Sequence, residues 1–175
     1  YISIPNSVKT IGESAFSLCT SLPEIILPDS ILKIGAFAFH SCIKVKTITI
    51  PPLVTSIREG AFIDCKGLTS IYAQPDVPVN LANYTIVFAS VDVLNCVLNV
   101  PFGQKALYAA APQWKNFSNI VENTNGMLLS KSNLNVPNKV TGTITVGVTS
   151  NGSWAVSSDK EWVIVSPLNA VGNDT

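Results

Sequence analysis

The chain has little charge and little chemistry to place. Asp, Glu, Lys and Arg make up 13% of its 175 residues, the formal net charge is zero, and there is one histidine and one methionine. A sparse, balanced charge set without a basic or acidic block offers no grip on nucleic acid or on an anionic membrane. The four cysteines contain no C-x-x-C spacing and there is no histidine cluster, so the familiar metal-binding patterns are missing. No glycine-rich phosphate loop occurs. The eleven Asp and Glu residues are scattered, and no pair is placed for general acid–base work. Long apolar runs are absent too. The longest candidate, Tyr84 to Val100, is interrupted by Asp92, Asn95 and Asn99 and fails as a bilayer helix. These absences predict a protein that is not an enzyme and that uses no cofactor and no metal. A secretory signal is also missing: Tyr1-Ile-Ser-Ile-Pro5 reads as the end of a repeat, so the expectation is a piece of a longer, exported protein.

What the chain does have is a period. Pro5, Pro28 and Pro51 recur every 23 residues, as do Ile11, Ile34 and Ile57, the pairs Ala15-Phe16, Ala38-Phe39 and Ala61-Phe62, and Cys19, Cys42 and Cys65. A fixed period of this length means a solenoid with one coil per repeat, an architecture that works through extended surfaces. Each coil divides in two. The first part, Leu22-x-x-Ile25-x-Leu27-Pro28, alternates like a strand, so Ile25 and Leu27 point inward, Glu24 and Ile26 outward, and the proline ends the strand. The second part, Val8-x-x-Ile11-Gly12-x-x-Ala15-Phe16-x-x-Cys19, spaces its apolar residues by three and four, which predicts a short helical or 3-10 segment on the back. Stacking then predicts columns of Phe, Ile and Cys. The cysteines read as buried free thiols.

The pattern I-x-I-P-x-x-V-x-x-I-x-x-x-A-F-x-x-C-x-x-L resembles the BspA-type leucine-rich repeat over residues 1 to about 74, with Arg58 standing where the other coils have Gly12 and Gly35. The fourth coil is longer: Ile71 to Leu98 spans 27 residues, and Phe88 is the one substitute for the Ala-Phe-x-x-Cys element. Gly103 to Ala111 reads as a short helix, and Pro112-Gln-Trp114 to Ile120 resembles the terminal cap of the same family. Leu107, Tyr108, Trp114, Phe117 and Ile120 are the candidates for covering the end of the stack. The cap region is about 74–122, within a solenoid domain of 1–122.

Residues 123–126 form a polar linker. Beyond it, 127–175 reads as all-β, with strands over Leu128 to Val136, Gly142 to Val148, Ser153 to Ser157 and Trp162 to Val165. Trp154 through Pro167 resembles the opening half of a BACON domain, an immunoglobulin-like β-sandwich of surface and secreted Bacteroidetes proteins. A whole sandwich needs about seven strands in roughly 90 to 100 residues, so this one is expected to be incomplete. Trp154 and Trp162 read as core anchors, with an exposed sugar platform as the alternative.

His40, the single histidine, falls at the repeat position of Ser17 and Ile63, with only Asp64 one coil away; no Ser–His–Asp grouping is expected there. Asp29-Ser30-Ile31 looks like a short O-glycosylation acceptor, and Asn83-Tyr84-Thr85 and Asn151-Gly152-Ser153 are sequons. The concave strand face is the candidate ligand site. Its outward positions form one column of Ser3, Ile26, Thr49, Tyr72 and Asn99, and a second of Tyr1, Glu24, Thr47, Ser70 and Val97. Glu24, Ile26, Thr47, Thr49, Ser70, Tyr72 and Asn99 are the residues expected to contact a ligand. The resemblances imply a cell-surface or secreted interaction and adhesion protein that binds protein or host-matrix ligands. The alternatives are a carbohydrate-binding module and a structural spacer. Self-association through the open N-terminal edge or the incomplete sandwich is a further expectation.

Overall fold

The computed structural model describes residues 2–123 and, beyond them, the stretches 127–129, 148–150, 153–155 and 169–171. The chain forms two compact units, Tyr1–Glu122 and Asn123–Thr175.

The first unit is a parallel β-solenoid. Its strands are β1 (Ile2–Ser3), β2 (Thr10–Ile11), β3 (Ile25–Ile26), β4 (Lys33–Ile34), β5 (Thr47–Ile50), β6 (Ser56–Ile57), β7 (Ser70–Ala73), β8 (Val97–Val100) and β9 (Asn119–Glu122). They form two sheets, β1-β3-β5-β7-β8-β9 and β2-β4-β6. The register Ile25↔Ile48↔Ile71↔Leu98↔Ile120 lines up one buried aliphatic per coil. The carbonyls of Pro5, Pro28 and Pro51 each accept from the N–H three residues on, which turns the corner of each coil.

The back of the coil, expected as a short helical or 3-10 segment, keeps 3-10 bonds at alternate residues but forms no regular helix: residues 8–19 hold strand β2 and then a run of turns. The destination of the backbone N–H groups explains it. Ala15, Ser17 and Cys19 donate to Gly12, Ser14 and Phe16, three residues back, as in a 3-10 helix. Ser14, Phe16 and Leu18 instead donate to the carbonyls of Ala36, Ala38 and His40 in the next coil, at 2.8–2.9 Å. Alternate donors serve the stack, so a helix cannot propagate. The next coil repeats the alternation, with Phe37, Phe39 and Ser41 donating to Glu59, Ala61 and Ile63. The turns place Ser14, Leu18, Phe37, Ser41, Gly60 and Asp64 in the left-handed region, at φ of 53–61°. Glycine suits position 60 doubly, since a Cβ there would lie 2.5 Å from the Phe37 ring.

Inside, Phe16, Phe39, Phe62 and Phe88 stack in one column with centroids 5.4, 5.6 and 5.6 Å apart and planes within 8°. The longer coil keeps this column because three of its four extra residues fall before Val87, whose carbonyl accepts from Phe62, and the fourth falls between Phe88 and β8. Helix α1 (Lys105–Ala110) and a 3-10 turn at Trp114–Asn116 close the C-terminal end. Trp114 and Phe117 lie on Phe88 at 5.1 and 5.3 Å, and Tyr108 meets Trp114 edge-on. Tyr108, Trp114, Phe117 and Ile120 are buried, as a cap requires. Leu107 is not: it is 48% exposed. Adjacent helical residues point about 100° apart, so with Tyr108 inward Leu107 faces out.

The cysteines are free thiols, and Cys42, Cys65 and Cys96 are buried. Cys42 and Cys65 donate to the carbonyls of Phe16 and Phe39 in the coil before. Burial pushes Cys42 and Cys96 up to about 11 and Cys65 up to about 12. A raised folded-state pKa gives stability that is complete below the unfolded thiol's pKa and is lost as pH rises through the folded value. The solenoid is therefore expected to weaken between about pH 9 and 12, by up to about 1.4 kcal/mol per pH unit for each buried thiol. Urea midpoints measured at intervals across that range test this, and a flat profile would contradict it. Cys65→Ala should make the loss shallower.

In the second unit, β10 (Met127–Leu129) pairs antiparallel with β11 (Val148–Ser150), and β12 (Ser153–Ala155) with β13 (Asn169–Val171). Strand β13 was not among those expected from sequence. The sandwich, Trp162 and the side chain of Trp154 lie outside the described residues.

Candidate functional site

The outward face of the six-stranded sheet is set by alternation. In β5, Ile48 and Ile50 are buried, leaving Thr47 exposed and Thr49 half-buried. In β7, Ile71 and Ala73 are buried, so Tyr72 stands out with 39% of its surface free. Ile26 is 52% exposed and Glu24 lies just before its strand, also exposed. Parallel pairing in register aligns Ser3 with Ile26, Thr49 with Tyr72 and Tyr72 with Asn99, and in the second row Thr47 with Ser70 and Ser70 with Val97.

Two features differ from the sequence reading. The sheet has a sixth strand, β9, so Asn99 continues to Val121 and Val97 to Asn119. Val121 is 41% exposed and extends the apolar part of the row. Alternation in Asn119-Ile-Val-Glu122 was the available signal, masked because Ile120 was assigned to the cap. Asn99, for its part, is tied down: its Nδ2 donates to Ser70 Oγ at 2.9 Å and reaches the Ile71 carbonyl at 3.4 Å. Asn99 is thus tied to Ser70 across the two rows, while Ile26, Tyr72 and Val121 are the large exposed side chains of its own row.

The back of the solenoid carries a grouping that sequence reading had ruled out. Ser17 Oγ lies 3.1 Å from His40 Nδ1, and His40 Nε2 lies 3.9 Å from Asp64 Oδ2. Asp64 also meets Lys66 Nζ at 3.3 Å, and the Ser90 hydroxyl followed by Lys66 holds its carboxyl below the usual range. The row arises because stacking brings residues 23 and 24 apart into contact. It is not arranged for nucleophilic attack. The N–H groups of Ser17 and Leu18, the nearest oxyanion donors, are spent on Ser14 and His40 carbonyls, and 3.9 Å is too long for a hydrogen bond.

The Ser30 hydroxyl, in the acceptor-like triplet, donates to the Val8 carbonyl at 2.8 Å and is half-buried, so it is committed to the coil corner. Asn83 and Thr85 are exposed. Among the described residues no group of three His, Cys, Asp or Glu is placed to hold a metal, and no helix is long and apolar enough to cross a membrane.

Comparison with known proteins gives one family. The model for the "BspA type Leucine rich repeat region" matches residues 1–93, in six copies. The chain is also similar to a leucine-rich repeat protein from Bacteroides ovatus ATCC 8483, known from a crystal structure at 1.19 Å resolution. The two share 20% identity at a TM-score of 0.34, over 68% of this chain and 44% of that one. The chain thus spans less than half the length of that protein. No curated protein matches.

Proposed function

Because this chain belongs to the BspA-type leucine-rich repeat family, we propose that it is a non-catalytic interaction protein of the cell surface or the secreted fraction, which binds a protein ligand on the outward face of its six-stranded sheet. The observation that carries the reading is the row Ile26, Tyr72 and Val121. These are large side chains left exposed on a rigid backbone, between polar neighbours such as Thr47 and Thr49. An exposed tyrosine between Thr49 and Asn99, with exposed aliphatics two strands away on either side, suits an aromatic anchor at the centre of an interface.

Size sets the expected strength. Six strands at about 4.8 Å give a face about 24 Å tall, and four-residue strands make it about 13 Å wide. That is roughly 300 Å², well under the roughly 800 Å² per partner of a standard interface. A weak contact in the micromolar range follows. Host-matrix proteins are the partner class that the family resemblance favours. The second unit, Asn123–Thr175, serves in this reading as a BACON-like spacer or partner module.

Surface plasmon resonance on immobilised fibronectin and laminin tests the proposal. Binding should appear, and Tyr72→Ala should weaken it by about tenfold or more. Lys66→Ala, on another face, should leave it unchanged. Binding that Tyr72→Ala and Ile26→Ser both leave at wild-type strength would overturn it.

A further inference from the structure

The smaller sheet, β2-β4-β6, borders a groove of about 660 Å³ that no part of the reading above uses. Its sides are built from repeat positions. Thr10, Lys33 and Ser56 look outward from the three strands, and Glu13 and Glu59 stand past the strand ends. Between them Gly12 and Gly35 leave bare backbone as a floor. Gly35 is required by the stack, since a Cβ there would lie 2.6 Å from the Gly12 carbonyl carbon.

Two departures from the repeat meet at one end. Arg58 replaces the glycine of the other coils, and Tyr84 comes from the four-residue-longer coil. Both line the groove, and the Arg58 guanidinium lies beside the Tyr84 hydroxyl, which holds its pKa up. Neither residue fills a repeat position that the Phe, Ile or Cys columns need. The groove also holds four charges, Glu13, Lys33, Arg58 and Glu59, and none of them forms an ion pair among the described residues.

We infer that this groove is a binding site for a short neutral oligosaccharide of two or three rings. Three strands span about 10 Å, the length of a disaccharide, and the volume lies within the range of small-ligand sites. Two cations and two carboxylates supply donors and acceptors for vicinal hydroxyls, while their zero net charge argues against a sulfated or phosphorylated ligand. Tyr84 packs partly on the core and offers the remaining, exposed part of its ring to a sugar's C–H face. An extended peptide fits less well, because the groove lies over the face of the sheet and offers no open ladder to join.

The site is independent of the six-stranded face, and its test is separate. The chain is titrated calorimetrically with cellobiose, maltotriose, lactose and N,N′-diacetylchitobiose, and alongside them with sialyllactose, a heparin disaccharide and trialanine. At least one neutral sugar should bind. Arg58→Gly and Tyr84→Ala should each weaken it by about tenfold, and Tyr72→Ala should not. Arg58→Gly restores the residue that two other coils carry, so its circular dichroism spectrum should match the parent. Three results would each overturn the inference: no neutral sugar bound at about 10 mM, binding indifferent to Arg58→Gly and Tyr84→Ala, or tighter binding of a charged sugar or of the peptide.

Discussion

Replacing Trp114 by alanine is expected to destabilise the solenoid unit by about 4 kcal/mol or more. The indole is 1% exposed and touches Phe88, Tyr108 and Phe117. Truncating a buried tryptophan costs about 3–5 kcal/mol through lost transfer and the cavity left behind. A second cost adds to this. Trp114 Nε1 donates to the Val79 carbonyl at 2.9 Å, and without it that acceptor is left unpaired in the interior, at about 1–3 kcal/mol. In a stack where each coil contacts only its neighbours, loss of the end cover lets the last coils open first. Urea unfolding followed by far-UV circular dichroism measures the loss. Leu107→Ala is the control: an exposed residue should change stability by less than about 0.5 kcal/mol. Equal losses in the two variants would show that the cap has been assigned to the wrong residues.

Phe62→Ala should cost about 3–5 kcal/mol. Phe62 is 1% exposed and sits between Phe39 and Phe88, each 5.6 Å away, so no neighbour can close the gap without leaving its own coil. Phe16→Ala should cost only about 1–2 kcal/mol, because its ring is half-buried and, among the described residues, stacks on Phe39 alone. A double-mutant cycle on Phe39 and Phe62 should give a coupling of about 0.5–1.5 kcal/mol. Equal costs at positions 16 and 62 would mean that the column does not act as a stack.

Much of this was legible in the repeat. The spacing of 23 placed the Phe and Cys columns and the inward isoleucines, and alternation placed Glu24, Ile26, Thr47 and Tyr72 on the outer face. The back of the coil was legible only in part: the expected helical or 3-10 segment survives as three-residue-back bonds, but the spacing of Val8, Ile11, Ala15 and Cys19 hid strand β2 and the break in the helix. What stops the helix is a hydrogen bond to the next coil, such as Phe16 N–H to the Ala38 carbonyl, and no local pattern shows that. The Ser17–His40–Asp64 row was half legible. Ser17 and His40 share a repeat position and Asp64 lies one coil away, one residue out of phase; that the three side chains meet in one row was not expected. Val121 was missed since its strand is separated from β8 by a helix and a 3-10 turn, outside the period altogether.

The division of backbone donors within each coil has a consequence for growth. Half of a turn's N–H groups close that turn, and the other half bind the coil beside it. A 23-residue segment therefore carries both its own closure and its own joint. Duplicating one between existing coils would lengthen the outer face by about 4.8 Å and add one side chain to each of its rows. Reach and number of contact points are thus set by a count of identical parts, like marks on a ruler. The 27-residue coil shows the tolerance of that ruler: spare length is taken up at the sides, three residues before Val87 and one after Phe88, and the next mark still falls in line.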